Sequence, residues 1–136
     1  MLINEALEYL DSHINRRFTL EKIDGLSLSQ MKILLEAIGN PHEDFPTIHI
    51  TGTNGKGSTA AMIAELVSAL GLSVGLYSSP HVASITERIQ INGEPISEEE
   101  FAENVHALSL AEPHLDFSPS WFELVTAAAF RSFADA

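Results

Sequence analysis

The segment Gly52-Thr53-Asn54-Gly55-Lys56-Gly57-Ser58 constrains this chain more than any other. It lies between the β-branched run Thr47-Ile48-His49-Ile50-Thr51 and an apolar helical face made by Ala60, Ile63, Ala64, Val67 and Leu70. A strand that enters a glycine-rich turn and leaves as a helix can hold phosphate. Successive backbone N–H groups in such a turn converge on one anion. The helix adds its own N-terminal N–H groups and the positive end of its dipole. Gly52, Gly55 and Gly57 permit backbone angles and close approaches that a Cβ would block. Lys56 brings a full positive charge to the β- and γ-phosphates of a nucleotide, expected to be ATP. The spacing departs from G-x-x-x-x-G-K-[ST]. Two residues separate Gly52 from Gly55, and Gly57 stands between Lys56 and Ser58.

The rest of the pattern is alternating α and β. Ile3, Ala6, Leu7, Leu10 and Ile14 recur at helical spacing and predict a first helix over about residues 2–13. Leu28, Met31, Leu34, Leu35 and Ile38 predict a second, with Ser27 and Gln30 as a capping box and Gly39 and Pro41 as stops. The third helix follows the glycine loop and closes at Gly71, before the strand-like Ser73-Val74-Gly75-Leu76-Tyr77. Strand, loop, helix and strand in that order form a βαβ unit, so residues 47–51 and 73–77 are expected to run parallel. Arg88-Ile89-Gln90-Ile91 alternates like a strand before the hairpin signal Asn92-Gly93. Ser97 to Glu100 is a capping box, with Ile96 and Phe101 as its staple, for a helix over about 97–109. A last helix starts near Ser118 or Ser120 and runs through Phe133.

Composition limits the function classes. A chain of 136 residues fits one domain with a real core. It has no cysteine, which excludes disulfides and thiolate metal sites. A net charge of -12 repels nucleic acid and anionic membrane surfaces. The acidic start lacks a signal-peptide n-region, and no apolar run approaches the ~20 residues of a bilayer span. A soluble cytoplasmic protein is the expectation.

The sequence resembles the folylpolyglutamate synthase and dihydrofolate synthase family, relatives of the Mur ligases. The matching pieces run in order along almost the whole chain: IHITGTNGKGSTAAMIAELVSALG, VGLYSSPHV, TERIQINGEPI and WFELVTAAAFRSFA. GTNGKGS points to the wider ligase superfamily, and SSPH followed by ERIQING narrows it to the folate branch. The resemblance implies a P-loop-type, three-layer αβα ATPase domain with a largely parallel sheet, of which this is the N-terminal part. Its expected divisions are a helical segment 1–46, a P-loop βαβ unit 47–79, and a loop, hairpin and helices over 80–136.

The family implies an ATP- and Mg²⁺-dependent ligase that adds L-glutamate to dihydropteroate or reduced folates through an acyl phosphate. It also implies small-molecule partners only and a monomer. Carried over by position, Thr53, Asn54, Gly55, Lys56, Gly57 and Ser58 would hold the ATP phosphates, with Lys56 the catalytic cation. Ser79 would give its hydroxyl to magnesium, whereas the general P-loop rule would choose Ser58. Ser120, Trp121, Phe122 and Glu123 match the family's pterin contact. Ser120 and Glu123 equally have capping-box spacing, and the two aromatic residues equally suit a core. Asp24, within Ile23-Asp24-Gly25-Leu26, matches a second pterin loop in one of two registers. For Arg88 and for Glu87 a structural salt bridge is expected rather than a catalytic role, and His81 is expected to be a hydrogen-bonded loop residue.

Several parts that the family carries are not in these 136 residues. They are a strand with the acidic magnesium ligand, a later metal-binding histidine, a carbamylated lysine and a glutamate-binding C-terminal domain. The segment alone is therefore expected to be inactive as a ligase. The alternatives are a stand-alone nucleotide-binding or regulatory module, and a Mur-type ligase acting on a cell-wall precursor.

Overall fold

The computed structural model describes residues 1–14, 28–52, 54–79, 81 and 83–136. The capping box at Ser27 and the Asp24 loop fall outside them. Helix α1, Ile3–Asp11, buries Ala6 and Leu10, and Glu5 turns back to accept from Leu2 N–H at 2.8 Å. Helix α2, Ser29–Ala37, buries Leu34 and Leu35. Gly39 and Asn40 then take positive φ (92° and 53°), and the chain enters a 3-10 turn at Pro41–Asp44. Helix α3 spans Lys56–Ala69 and stops at Gly71, where φ is 84°.

Strands β1 (Gly75–Tyr77), β2 (Ile89–Ile91) and β3 (Glu94–Pro95) form one sheet in that order. Asn92 and Gly93 both have positive φ, 52° and 87°, and Ile91 pairs with Glu94 across them. That is the two-residue hairpin turn the sequence signals. Helix α4, Glu98–Ala111, is capped by Ser97 Oγ, which accepts from Glu100 N–H at 3.0 Å. Helix α5 spans Trp121–Asp135.

The core lies among α1, α2, α4 and α5, with Ile85, Ile89 and Ile96 closing it from the sheet side. From α4 it takes Phe101, Ala102, Val105 and Leu108; from α5 it takes Leu124, Val125, Ala127, Ala128 and Ala129. Three successive buried alanines let neighbouring backbones come close on several sides of α5. Each large side chain in this set contributes about 1.5–3 kcal/mol through burial. One polar clasp crosses α4 and α5: buried Asn104 donates from Nδ2 to Ser132 Oγ at 2.7 Å, and Arg131 Nε donates to Asn104 Oδ1 at 3.1 Å. A second clasp ties the end of α1 to the end of α4. Tyr9 OH donates to the Glu112 carboxylate, and His13 Nε2 lies 2.8 Å from the same oxygen. Ser118 Oγ donates to the other carboxylate oxygen at 3.3 Å.

Two expectations change. The described strands pair antiparallel, Gly75 with Ile91 and Tyr77 with Ile89, and residues 47–51 join no ladder among the described residues. A strand exists only where a partner meets its N–H and C=O groups. β1 finds its partner in β2, where Asn92 N–H donates to Val74 O at 2.8 Å and Asn92 Oδ1 accepts from Val74 N–H at 2.9 Å. The third helix has the apolar face its sequence gives it, but none of its residues is buried. Ala60, Ile63, Ala64 and Val67 are half-buried, while Met62, Leu66 and Leu70 are exposed.

Gly75 joins the sheet to α5. A Cβ there would stand 2.4 Å from the Phe133 ring. That ring is also held edge-on by Phe45, at 5.9 Å between centroids, so it has little room to retreat. Gly75→Ala should destabilise by about 1–3 kcal/mol, the usual cost of overpacking. Thermal unfolding with no loss of Tm would refute this contact. A pH effect follows from Tyr9, whose hydroxyl is held far above its ordinary pKa by burial and then by the Glu112 carboxylate. A group raised in the folded state gives stability that is complete below its unfolded pKa, about 10, and is lost as pH rises beyond it. Urea unfolding should therefore show lower stability at about pH 10.5 than at about pH 8, and a smaller difference in Tyr9→Phe. Equal differences in the two proteins would count against the Tyr9–Glu112 bond.

Candidate functional site

The glycine loop leads straight into α3. Gly52 has φ 140°, and Gly55 takes the left-handed conformation, φ 72° and ψ 4°, as the residue before the helix. Lys56, Gly57 and Ser58 are its first three residues. The first internal bond runs from Thr59 N–H to Gly55 O at 2.9 Å, and no side chain caps the start. The N–H groups of residues 56–58 thus have no acceptor within the helix. All residues from Asn54 to Ser58 are exposed. A Cβ placed on Gly52, Gly55 or Gly57 would meet no atom within 4 Å. Thr53 lies outside the described residues.

Ser79 is exposed and sits two residues beyond β1. The bonds around it come from both sides. Ser78 N–H donates to Arg88 O at 2.9 Å, and His81 Nδ1 accepts from Arg88 Nε at 2.8 Å. The His81 ring proton is therefore on Nε2. His81 is the hydrogen-bonded loop residue expected from the sequence. Arg88 differs from expectation: its described side-chain partners are a ring nitrogen and a ring face. Its guanidinium carbon lies 4.9 Å from the centroid of Trp121. Such a contact contributes about 0.5–2 kcal/mol, depending on exposure. The planar guanidinium can donate from its edge and stack on its face at once. Glu87 Oε2 accepts from the N–H groups of Ala83 and Ser84, both at 3.0 Å.

At the start of α5, Ser120 Oγ accepts from Glu123 N–H at 3.1 Å and Glu123 Oε1 accepts from Ser120 N–H at 2.9 Å. The spacing of these two residues is thus realised as a capping box. Of the two aromatic residues, Trp121 packs against the edge of the core and Phe122 stands outside it. Trp121 is half-buried under Arg88, and Phe122 is 56% exposed with its ring 6.4 Å from that of Tyr77. Tyr77 OH and Thr126 Oγ1 share a hydrogen bond of 2.9 Å, and burial raises the Tyr77 pKa. The end of β1, the Ser79 loop, Arg88 and the first turn of α5 therefore form one cluster. Sequence reasoning missed the roles of Tyr77 and Arg88. The only available signal was that both lie inside the pieces VGLYSSPHV and TERIQING.

Among the described residues, no group of three or more His, Cys, Asp or Glu side chains is placed to hold a metal ion. Ser79 presents an exposed hydroxyl, a type of oxygen donor that suits Mg²⁺, which usually keeps several waters. No helix among the described residues is long and apolar enough to cross a membrane.

No family model matches the chain. Individual relatives do. The dihydrofolate synthase/folylpolyglutamate synthase of Bacillus subtilis is 38% identical over 115 residues, covering 79% of this chain and 26% of the relative. A solved FPGS–AMPPCP–folate complex superimposes with a TM-score of 0.88 at 36% identity, over 99% of this chain and 33% of that one. Mycobacterium tuberculosis folylpolyglutamate synthase complexed with ADP gives 0.80 at 33% identity, over 98% and 29%. The chain spans between a quarter and a third of the length of these proteins. In sequence and in fold, it is a homologue of the folylpolyglutamate synthase/dihydrofolate synthase family and corresponds to the N-terminal part of that family's Mur-ligase-type α/β domain.

Proposed function

We propose that this chain supplies the phosphate-binding part of an ATP-dependent ligase that joins L-glutamate to dihydropteroate or to reduced folates. The carrying observation is the start of α3. A left-handed glycine turns the chain so that three N–H groups without helical acceptors and the Lys56 ammonium stand at one exposed helix end. Among the described residues, neither packing nor a positive φ calls for glycine at position 57. Close approach of a ligand phosphate does. That relatives are known with AMPPCP, ADP and folate supports the same reading.

In the proposed reaction, a substrate carboxylate oxygen attacks the γ-phosphorus of ATP and ADP leaves. The amino group of glutamate then attacks the acyl carbon, and phosphate leaves with the bonding pair. No side chain is needed as a nucleophile. Asn54 through Ser58, with Thr53, would hold the phosphates, and Lys56 would neutralise charge on the group in transfer. β1 packs on α3 after the short reversal at Gly71, and Ser79 follows β1 two residues later. Its hydroxyl would be a ligand to phosphate-bound Mg²⁺. Exposed Phe122 offers a flat apolar face to a pterin ring, with the edge of Trp121 beside it, while Ser120 and Glu123 hold the helix turn that carries them. Asp24 would complete the pterin contact.

The proposal predicts ATP-, Mg²⁺- and glutamate-dependent phosphate release by the complete polypeptide carrying these residues, given dihydropteroate or a reduced folate. Release driven by a UDP-muramyl peptide, without response to pterins, would sink the folate assignment. Lys56→Ala should abolish that turnover and weaken MgADP binding by about tenfold or more, equivalent to roughly 1.4 kcal/mol, with an unchanged circular dichroism spectrum. Calorimetric titration showing equal affinity would remove Lys56 from the site.

A further inference from the structure

Arg88 touches every piece of the cluster that the proposed function uses separately. Its carbonyl holds Ser78 and its Nε holds His81, so Ser79 is flanked on both sides by bonds to this one residue. Its guanidinium lies against Trp121, the first residue of α5. Arg88 itself sits where a 3-10 turn, Ile85–Arg88, meets β2. The turn is closed by its own capping box of Ser84 and Glu87, and Ile85 and Ile89 on either side are buried. The backbone of Arg88 is thus anchored, and its side chain reaches from His81 to the first residue of α5, beside the separate link that Tyr77 makes to Thr126 and Phe122.

We propose that Arg88 is a positioning residue that makes the geometry of the Ser79 loop and the orientation of the Trp121 ring interdependent. In the setting of the proposed function, on which this inference rests, the two ends are the phosphate side and the pterin side. Occupancy at one would then be felt at the other. Arginine suits the role because one planar group donates from its edge to His81 while its face covers the indole. Lysine can keep the charge but not both contacts.

Trp121 is the only tryptophan of the chain, so its emission reports on the link directly. In the ligand-free protein, Arg88→Met should raise acrylamide quenching of Trp121 roughly two-fold, as the covering group is lost. His81→Ala should shift it in the same direction, although His81 has no described contact with the indole. In the Arg88→Met background, His81→Ala should then have no further effect. Independent, additive changes in this cycle would overturn the proposal. Arg88→Lys should restore at most part of the protection; full restoration would show that charge alone suffices and overturn it too. A second arm uses MgADP, with binding followed by calorimetry and Trp121 emission in parallel. Wild type should bind and change its emission, whereas Arg88→Met should bind with similar affinity and give no emission change. A response that persists in Arg88→Met refutes the link and leaves the nucleotide reading intact. Failure of wild type to bind MgADP refutes the nucleotide reading, and the ligand-free cycle then decides the link.

Discussion

Close packing along α5 sets the position of nearly everything else. Ala127, Ala128 and Ala129 are fully buried, so the backbone of this helix can lie near its neighbours without intervening side-chain bulk. Leu124 and Val125 fill the space beside them, and Ser132 receives the buried amide of Asn104 from α4. At its far end Phe133 covers Gly75, where no larger residue fits. In its first two turns, Trp121 meets Arg88 and Thr126 meets Tyr77. A helix fixed by a core on several sides is a rigid reference. The short sheet and the Ser79 loop are located by their contacts with it.

The glycine loop stands apart from that core. α3 has no buried residue, and Met62, Leu66 and Leu70 face outward among the described residues. A left-handed glycine stands at its start and another at its stop, and its half-buried face meets β1. Its proposed chemistry has a local origin. N–H groups at a helix start need acceptors that the helix cannot provide, and the Lys56 ammonium lies beside them. The site's two proposed sides thus differ in kind. The phosphate side is a property of one loop and one helix end. The aromatic side is assembled from β1, the turn before β2, and α5.

Much of this was legible in the sequence where the governing physics is short-range. Asn92-Gly93 formed the hairpin it signals, because few other pairs accept two successive positive φ values. Ser97 and Ser120 capped the helices they precede. The apolar spacing of Ala6, Leu10, Leu34 and Leu35 marked buried positions, since helical period follows from backbone geometry alone. The parallel pairing expected for residues 47–51 and 73–77 was not legible, since strand partners come from distant parts of a chain. β1 pairs instead with β2, through Val74 and Asn92. For Arg88 a structural salt bridge was the simplest reading, because a long cationic side chain most often meets a carboxylate. In the fold it reaches a histidine and an indole.

By itself, then, the sequence determined the glycine turn that opens α3, the placement of the helices and the family likeness. Each depends on residues close together in the chain, whose geometry is dictated by local sterics and hydrogen bonding. Only the tertiary structure decided which side chains stand around the Ser79 loop and the start of α5. His81, Arg88 and Trp121 are separated by up to 40 positions, and nothing in their spacing says that they meet. What brings them together is the burial of Ile89 and the small, buried face of α5. Those two packing demands place the Arg88 side chain between a loop and a ring.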